Sequence, residues 1–179
     1  MDQLIRFFLE YSDYYVQQLT TDNIEIFQQL YEQCTDFIQL TYGHPPSSTV
    51  ACEDFEDVPQ GKTTQDLYIL GLFNPDNILV GVIEAVRHYP DNKTWWIGLM
   101  MLNPKQRRKG IGSAFYQAFE QWVFTQGGSK ISLFVIKANL AGLQFWQKMG
   151  FKITREIQPR QFGNKTHEGY VVSRIQHQT

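Results

Sequence analysis

Three basic residues lead straight into a glycine pair in the stretch LNPKQRRKGIGSAF, which spans residues 102–115. Apolar residues at helical spacing follow at once, so the glycines lie at the start of a predicted helix. A helix start offers unpaired N–H groups and the positive end of the helix dipole, and both attract anions. Gly110 and Gly112 would let a phosphate approach the main chain closely. The stretch predicts a phosphate-binding site, with a plain basic turn as the alternative.

A single carboxylate interrupts the apolar strand pattern ILVGVIEAV. Strict alternation places Glu84 on the same face as Ile78, Val80, Val82 and Val86. Burial among apolar side chains raises the pKa of a carboxyl group toward the range that suits a general base. Glu84 is therefore a candidate base. The alternative is that it pairs with an arginine or lies near the edge of the sheet.

Bulk composition excludes several classes of protein. The chain has 179 residues, 42% of them hydrophobic, which suits one domain with a full core. Its 16 basic and 18 acidic residues give a net charge of −2, so the basic footprint of a nucleic-acid binder is missing. Cys34 and Cys52 form no C-x-x-C pair and the four histidines are scattered, so no metal site is expected. Without a signal-peptide pattern or a membrane-length apolar run, a cytoplasmic protein is the default expectation.

The order of predicted elements indicates an α/β fold with a mostly antiparallel sheet. A strand and one or two helices come first, then three antiparallel strands, a helix, a strand, a helix and two last strands. A parallel strand–helix–strand crossing lies in the middle. A loop is expected between the first helices and the sheet, and another, with Pro159 and Gly163, between the last two strands.

Two motifs together resemble the signatures of the GNAT acyltransferase superfamily. Residues 107–112 are similar to its [RQ]-x-x-G-x-[GA] motif, and NLAGLQFWQKMGF, residues 139–151, is similar to its second signature. The family's strand order also fits residues 15–175, which leaves the first fourteen residues uncovered. The resemblance implies one domain over 1–179, with a motif-bearing core at about 65–157. The implied fold is a mixed sheet of about six to seven strands, mostly antiparallel, with helices on both faces.

The resemblance implies acetyl-CoA, or another acyl-CoA, as the donor. Its pyrophosphate would lie on the main-chain amides of residues 108–113, and its pantetheine arm would run along residues 100–102. That arm needs a gap between this strand and the next one, residues 130–136. Asn139 would lie near the arm, with helix capping as its alternative role. The implied cofactor-binding residues are Met100, Met101, Leu102, Arg107, Arg108, Lys109, Gly110, Ile111, Gly112, Ser113, Asn139 and Trp146.

The implied reaction is transfer of an acetyl group to a primary amine of a small molecule or peptide, by direct attack through a tetrahedral intermediate. A main-chain N–H near Leu102 would stabilise the oxyanion. An amine of pKa about 10.4 must lose a proton first, and Glu84 is the candidate acceptor. Trp146 stands where many family members have a tyrosine that protonates the leaving thiolate, and an indole cannot do so. Either the thiolate leaves unprotonated, or Tyr68 or Tyr170 serves, or the protein is a poor catalyst.

The acceptor is the least defined part of the prediction. The acidic stretch EDFED, residues 53–57, lies where family members often bind acceptors. An acidic rim would suit a polyamine, an aminoglycoside or a lysine-rich peptide, and a solvated acidic loop is the alternative. A non-catalytic acyl-CoA sensor would keep the cofactor site and explain Trp146. No nucleic-acid or membrane partner is expected, and a homodimer is left open.

Overall fold

The computed structural model describes residues 6–10 and 13–176, which form one eight-stranded sheet of order β1-β2-β3-β4-β5-β6-β8-β7. Every neighbouring pair is antiparallel except β5 and β6, which are parallel. The mixed, mostly antiparallel sheet is as expected, but it has one strand more than the upper estimate. The strands are β1 (Arg6–Phe8), β2 (Tyr15–Gln18), β3 (Leu67–Phe73), β4 (Leu79–Arg87), β5 (Thr94–Leu102), β6 (Lys130–Ile136), β7 (Lys152–Phe162) and β8 (Lys165–Ile175).

Helices cover both faces of this sheet, as predicted. On one face, Phe115 and Phe119 of the long helix pack with Trp146 over the middle strands. On the other face, Phe27 and Leu30 belong to a second cluster of buried side chains. The helices are α1 (Ile24–Gln33), α2 (Thr35–Tyr42), α3 (Val50–Asp54), α4 (Ile111–Thr125) and α5 (Leu140–Lys148), with single 3₁₀ turns at Thr21–Asn23, Thr64–Asp66 and Pro104–Gln106. No helix in the described ranges is long and apolar enough to cross a membrane.

Two elements lie where the sequence patterns did not predict them. β1 falls in the segment that the family resemblance left uncovered, and its ladder with β2 pairs Phe7 with Val16. α3 lies in a stretch expected to be loop, and it forms because Ala51 is fully buried in the cluster under α1. A single helical turn has too few residues for a periodic pattern, so tertiary packing decides its conformation.

The prediction of a loop at Pro159 is wrong. β7 continues through Pro159 to Phe162, and the turn comes later, at Gly163, whose φ is +52°. β7 is the outer strand of the sheet, where a residue without an N–H costs no ladder bond. The turn lies against the end of α2, because Asn164 donates a 2.8 Å hydrogen bond to the Tyr42 carbonyl. The β7–β8 hairpin therefore anchors α2.

Two β-bulges change which side chains share a face. Between β3 and β4 the register shifts, so that Leu72 faces Gly81 while Phe73 faces Leu79. The extra residue, Val80, consequently packs with the α4 cluster, whereas Val82 belongs to the α1 cluster. The predicted common face is wrong for Val80, because strict alternation fails across a bulge.

The second bulge opens the sheet. Glu84 faces Leu99 and Ala85 faces Ile97, which leaves Gly98 as the extra residue of β5. The parallel pairing of β5 with β6 also stops at Ile97. Beyond this point β5 and β6 continue without pairing, and a gap lies between them. This is the gap that the implied donor arm requires.

Candidate active site

A cleft of about 1370 Å³ follows the gap between β5 and β6. One end is formed by the start of α4 and by α5, and includes Arg108, Gly110 and Asn139. The other end is formed by α1, α2, α3 and the β7–β8 hairpin, and includes Tyr42 and Asp54. We call these the donor end and the acceptor end. The two ends meet over the diverging half of β5.

The donor end is built around the first turn of α4. Gly110 immediately precedes this helix with φ of +81°, a left-handed conformation that favours glycine. A Cβ at Gly110 would meet no atom within 4 Å, so the main chain is open on that side. The first intrahelical bond comes from Ala114 N–H, at 3.0 Å to the Gly110 carbonyl. The N–H groups before it have no acceptor within the helix and are free for an anion.

The arginines beside this turn have different surroundings. Arg107 forms an ion pair with Asp36 of α2, and its Nε donates a 2.8 Å hydrogen bond to the Leu102 carbonyl. Asp36 holds the Arg107 pKa above its ordinary value, chiefly through their hydrogen bond. Arg108 has no hydrogen bond or ion pair with the described residues. Arg107 therefore joins the two ends of the cleft, and Arg108 is the one available to a ligand.

The diverging half of β5 turns alternate main-chain groups into the gap. Asn103 N–H donates to the Val80 carbonyl at 2.8 Å, so this group points toward β4. Main-chain groups of successive residues alternate between the two sides of a strand. The N–H groups of Met100 and Leu102 consequently point away from β4, into the gap. Leu102 can thus present the oxyanion donor that the sequence suggested.

Asn139, at the start of α5, and Trp146, within α5, form part of the wall of the cleft. The Asn139 side chain caps α5 by accepting a 2.9 Å hydrogen bond from Gly142 N–H. Its capping role is thereby shown, and contact with the donor remains a prediction. Trp146 lies in an aromatic cluster with Tyr116 and Phe151, at centroid distances of 5.4 and 5.0 Å. It is 7% exposed, which makes it a wall of the cleft.

The acceptor end contains a carboxyl group bound to a tyrosine. The hydroxyl of Tyr31 on α1 donates to Asp54 at the end of α3. Burial raises the Asp54 pKa to about 6, the Tyr31 hydrogen bond opposes that shift, and the charges of Asp57 and Glu53 reinforce it. Burial and the neighbouring Asp54 charge raise the Tyr31 pKa, so its hydroxyl stays protonated. Asp54 is therefore a carboxyl that changes charge near neutral pH.

Glu84 lies beneath the floor of the cleft rather than on it. It is 8% exposed, and its Oε1 lies 2.9 Å from where a Cβ on Gly98 would stand. Gly98 itself lines the cleft, so the carboxyl reaches the cleft where that side chain is missing. Burial raises the Glu84 pKa well above its ordinary value, and the charges of Asp54 and Asp57 add to this. Glu84 has no hydrogen bond or ion pair with any residue in the described ranges.

The structure brings most of the predicted residues into this one cleft. Lys109 and Ile111 are not among its lining residues, and Ile111 packs against the α4 core cluster instead. Tyr68 and Tyr170, the two tyrosines considered as acids, do not line it either. Tyr68 packs against Trp95 with ring centroids 5.1 Å apart. The predicted cofactor residues that line the cleft are Met100, Met101, Leu102, Arg107, Arg108, Gly110, Gly112, Ser113, Asn139 and Trp146.

Several residues of the acceptor end were not identified from the sequence. Tyr31 reads as an ordinary apolar position of α1, and Gly98 as one residue of an apolar strand. Tyr42 lies at the end of α2, where no motif marks it. The only signal was the acidic stretch 53–57, which includes Asp54. Its four acidic residues line the cleft, and three of them, Glu53, Glu56 and Asp57, are also exposed to solvent.

The donor end fits a pyrophosphate-bearing cofactor. Its donors are main-chain N–H groups at the first turn of α4, an arrangement that suits phosphate oxygens. Gly112 has no side chain that could block access to these N–H groups, and a Cβ there would contact only Leu102 and Phe145, each at 3.7 Å. Main-chain groups of β5 in the gap can pair with an amide-containing arm. These groups fit the phosphates and the amide-containing arm of coenzyme A.

Comparison with known proteins agrees with this geometry. Residues 17–151 match the family model described as acetyltransferase (GNAT) family. A search of curated proteins gave no match.

Among solved structures, smu.2055 from Streptococcus mutans has 21% identity and a TM-score of 0.67, covering 89% of this chain and 98% of that one. A Salmonella typhimurium acetyltransferase that modifies the N-terminal serine of ribosomal protein L7/L12 has 15% identity and a TM-score of 0.78, with coverage of 96% and 99%. A ribosomal L7/L12 α-N-protein acetyltransferase in complex with coenzyme A has 16% identity and a TM-score of 0.76, with coverage of 97% and 98%. At such identities these structures show the fold. Because the family model spans most of the sequence, the chain belongs to the GNAT family of acetyl-CoA-dependent acyltransferases.

Proposed function

We propose that this enzyme transfers an acetyl group from acetyl-CoA to a primary amine, and that Glu84 accepts the proton of that amine. The observation that carries the proposal is a single cleft with a helix start suited to anions at one end and, at the other, the carboxyl groups of Asp54 in its wall and of Glu84 beneath it. When bound, acetyl-CoA supplies an activated acetyl group that an amine can attack directly. Its implied holders are the main-chain groups of residues 108–113 and of Met100 and Leu102.

The position of Glu84 supports its role as the base. Its carboxyl reaches the cleft at Gly98, directly before the part of β5 that faces the gap. A raised pKa brings a carboxylate closer to the basicity needed to accept a proton from an ammonium group. Asp54 lies on α3 and already accepts a hydrogen bond from the Tyr31 hydroxyl, which suits it to hold and orient the acceptor molecule. The Leu102 N–H would stabilise negative charge on the attacked oxygen.

A carboxyl pair at the acceptor end favours catalysis over a sensor. A protein that only binds acyl-CoA needs no proton acceptor, and burying Glu84 without a partner is costly. Of the two tyrosines that line the cleft in the described ranges, Tyr31 and Tyr42, Tyr31 already donates its hydroxyl to Asp54. Functional sites often retain such unfavourable groups because the chemistry needs them.

The test is to mix the protein with acetyl-CoA and a panel of amines and to follow the release of free CoA thiol. The panel contains polyamines, amino acids, aminoglycosides and peptides with free N-termini. We expect turnover with at least one amine and thermal stabilisation by acetyl-CoA alone. Stabilisation without turnover on any amine would overturn the transferase proposal in favour of a sensor. A lack of stabilisation in a folded protein would contradict the donor site itself.

A further inference from the structure

The acceptor end of the cleft has acidic side chains that form no ion pair with any described residue. We propose that the acceptor carries a second cationic group in addition to the amine that is acetylated, as an organic diamine does. The inference rests on the proposed function and names its class of substrate. It is carried by a charged wall and an aromatic surface that line the cleft, and by a buried carboxyl group beneath it that approaches the cleft at Gly98.

The charged wall is formed by Glu53, Asp54, Glu56 and Asp57, which all line the cleft. None of them forms an ion pair with the residues that the structure describes. Asp36, the other acidic lining residue, is already paired with Arg107. The neighbouring His44 holds its Nδ1 at 2.7 Å from the Pro45 carbonyl. Among the described residues that line this end, the only lysine or arginine is Arg107, which is paired with Asp36, so the four acidic residues have no counter-charge in the wall.

Glu84 is an independent sign that a cation belongs here. More than nine-tenths of its surface is buried, and it has no partner within the described ranges, yet its carboxyl reaches the cleft at Gly98. Burying a carboxyl without hydrogen bonds or counter-charge is costly. The pKa values of both Glu84 and Asp54 are raised, in part by Asp57, so the local charges repel one another. A bound cation would relieve that repulsion.

An aromatic surface completes the acceptor end and favours an organic cation over a metal ion. Phe134 and Phe162 stack with centroids 5.6 Å apart and planes 5° from parallel, and Tyr42 meets Phe162 edge-on at 6.5 Å. All three rings line the cleft. Aromatic faces attract ammonium groups, and the Arg160 guanidinium already lies 5.7 Å from the Phe134 centroid. In the described ranges no three His, Cys, Asp or Glu side chains are arranged to hold a metal.

The nitrogen that is acetylated cannot be the cation that pairs with the acidic wall during the reaction. It must lose its proton, and with it its charge, before it can attack the acetyl group. A simple monoamine is therefore neutral when the carboxylates could help most. A second ammonium group keeps its charge throughout and can stay beside Asp54 and Asp57 while the first one reacts. Interactions that persist to the transition state raise kcat/KM.

The experiment compares acceptors that differ only in the second charge. Diamines of three to eight carbons are each paired with the amino alcohol and the monoamine of the same length, and CoA thiol release is measured. We expect at least one diamine to exceed its amino alcohol by roughly 30-fold in kcat/KM, with the advantage shrinking as salt is added. If no diamine exceeds its amino alcohol by about threefold, the inference is wrong. CoA thiol release is also measured with two peptides whose free N-terminal residue is followed by lysine or by serine. A preference for the lysine peptide over the best diamine would show that the two charges belong to a peptide rather than to a free diamine.

A variant tests the wall itself. Asp57→Asn should lower the diamine advantage roughly tenfold, whereas Asp76→Asn, the same change in the exposed turn between β3 and β4, should leave it intact. An undiminished advantage in Asp57→Asn would contradict the wall's role. Calorimetric titration with 1,4-diaminobutane and 4-aminobutanol, without acetyl-CoA, separates this inference from the transferase proposal. If the protein prefers the diamine but acetylates no amine, only the transferase proposal is wrong. If the diamine and the amino alcohol bind equally well, the proposal of a second cationic group is wrong.

Discussion

The two ends of the cleft offer ligands different parts of the protein. At the donor end the available groups are main-chain amides, at Gly110 and the first turn of α4 and along the gap side of β5. At the acceptor end they are side chains, from Tyr31 on α1, Asp54 on α3 and Glu84 on β4. One end is positive, and the other is negative, with exposed acidic residues at its rim and Glu84 buried beneath it. Main-chain recognition tolerates many side chains, whereas side-chain recognition depends on each residue.

The largest expected effect is at the acceptor end. Glu84→Gln keeps the shape of the side chain but removes the base, so we expect kcat to fall by roughly 10²–10⁴-fold. The dissociation constant for acetyl-CoA should change by less than about twofold, since the donor end is untouched. Steady-state kinetics and calorimetry measure these two quantities.

A matched variant sharpens this test. Asp54→Asn retains the acceptor for the Tyr31 hydroxyl, so it should raise KM for the amine more than it lowers kcat. If Glu84→Gln keeps full turnover across the pH range with a genuine acceptor, Glu84 is not the base. If Asp54→Asn shows the larger loss in kcat, the two carboxyl groups have exchanged roles.

The second effect tests whether the donor end works through its main chain. Gly110→Asp forces a side chain into a left-handed conformation, at a cost of about 1–2 kcal/mol, and puts a negative charge where a phosphate should bind. We expect it to weaken acetyl-CoA binding roughly 30-fold, against about threefold for Arg108→Ala. Binding is measured by calorimetric titration.

Gly61→Asp supplies the control for backbone strain. Gly61 has φ of +85° and open space beside it, as Gly110 does, but it does not line the cleft. Its variant should therefore lose comparable stability and keep its affinity for acetyl-CoA. If Arg108→Ala weakens binding more than Gly110→Asp, side-chain charge carries the donor site, and the contrast between the two ends fails.

The smallest effect concerns stability and its dependence on pH. The Asp54 pKa is raised from 3.8 to about 6 in the folded protein, so the folded state binds more protons than the unfolded state between these values. Asp54 therefore stabilises the fold below pH about 4, and this contribution is lost as pH rises through about 6. Asp54→Asn should stabilise the protein by about 1–2 kcal/mol at pH 7.5 and lose that advantage at pH 4.

Thermal unfolding at the two pH values measures this difference. Asp76→Asn serves as the control, because Asp76 is exposed in a turn and its removal should change stability at neither pH. A loss of stability in Asp54→Asn at pH 7.5 would mean that the carboxylate is favourably placed. The Asp54 carboxylate would then stabilise the folded protein, contrary to the direction of its pKa shift.

Prediction from sequence succeeded where local signals agree with the fold. Gly110 marked the start of α4, and the apolar run of β6 was delimited at Lys130–Ile136 as the structure has it. It failed at α3, which is one helical turn held by burial of Ala51. It also failed at the Val80 bulge and at Pro159, because register and edge position are properties of strand pairing.

The sequence by itself determined the donor end, because a glycine turn and a helix start place their own N–H groups through local geometry alone. Only the tertiary structure decided the acceptor end. Tyr31 and Asp54 are 23 positions apart, and Glu84 comes from a third element. The bulge at Gly98 brings the Glu84 carboxyl to the cleft, and its raised pKa follows from burial and from the charges of Asp54 and Asp57. Burial and repulsion between distant residues arise only after folding, so no local pattern could report them.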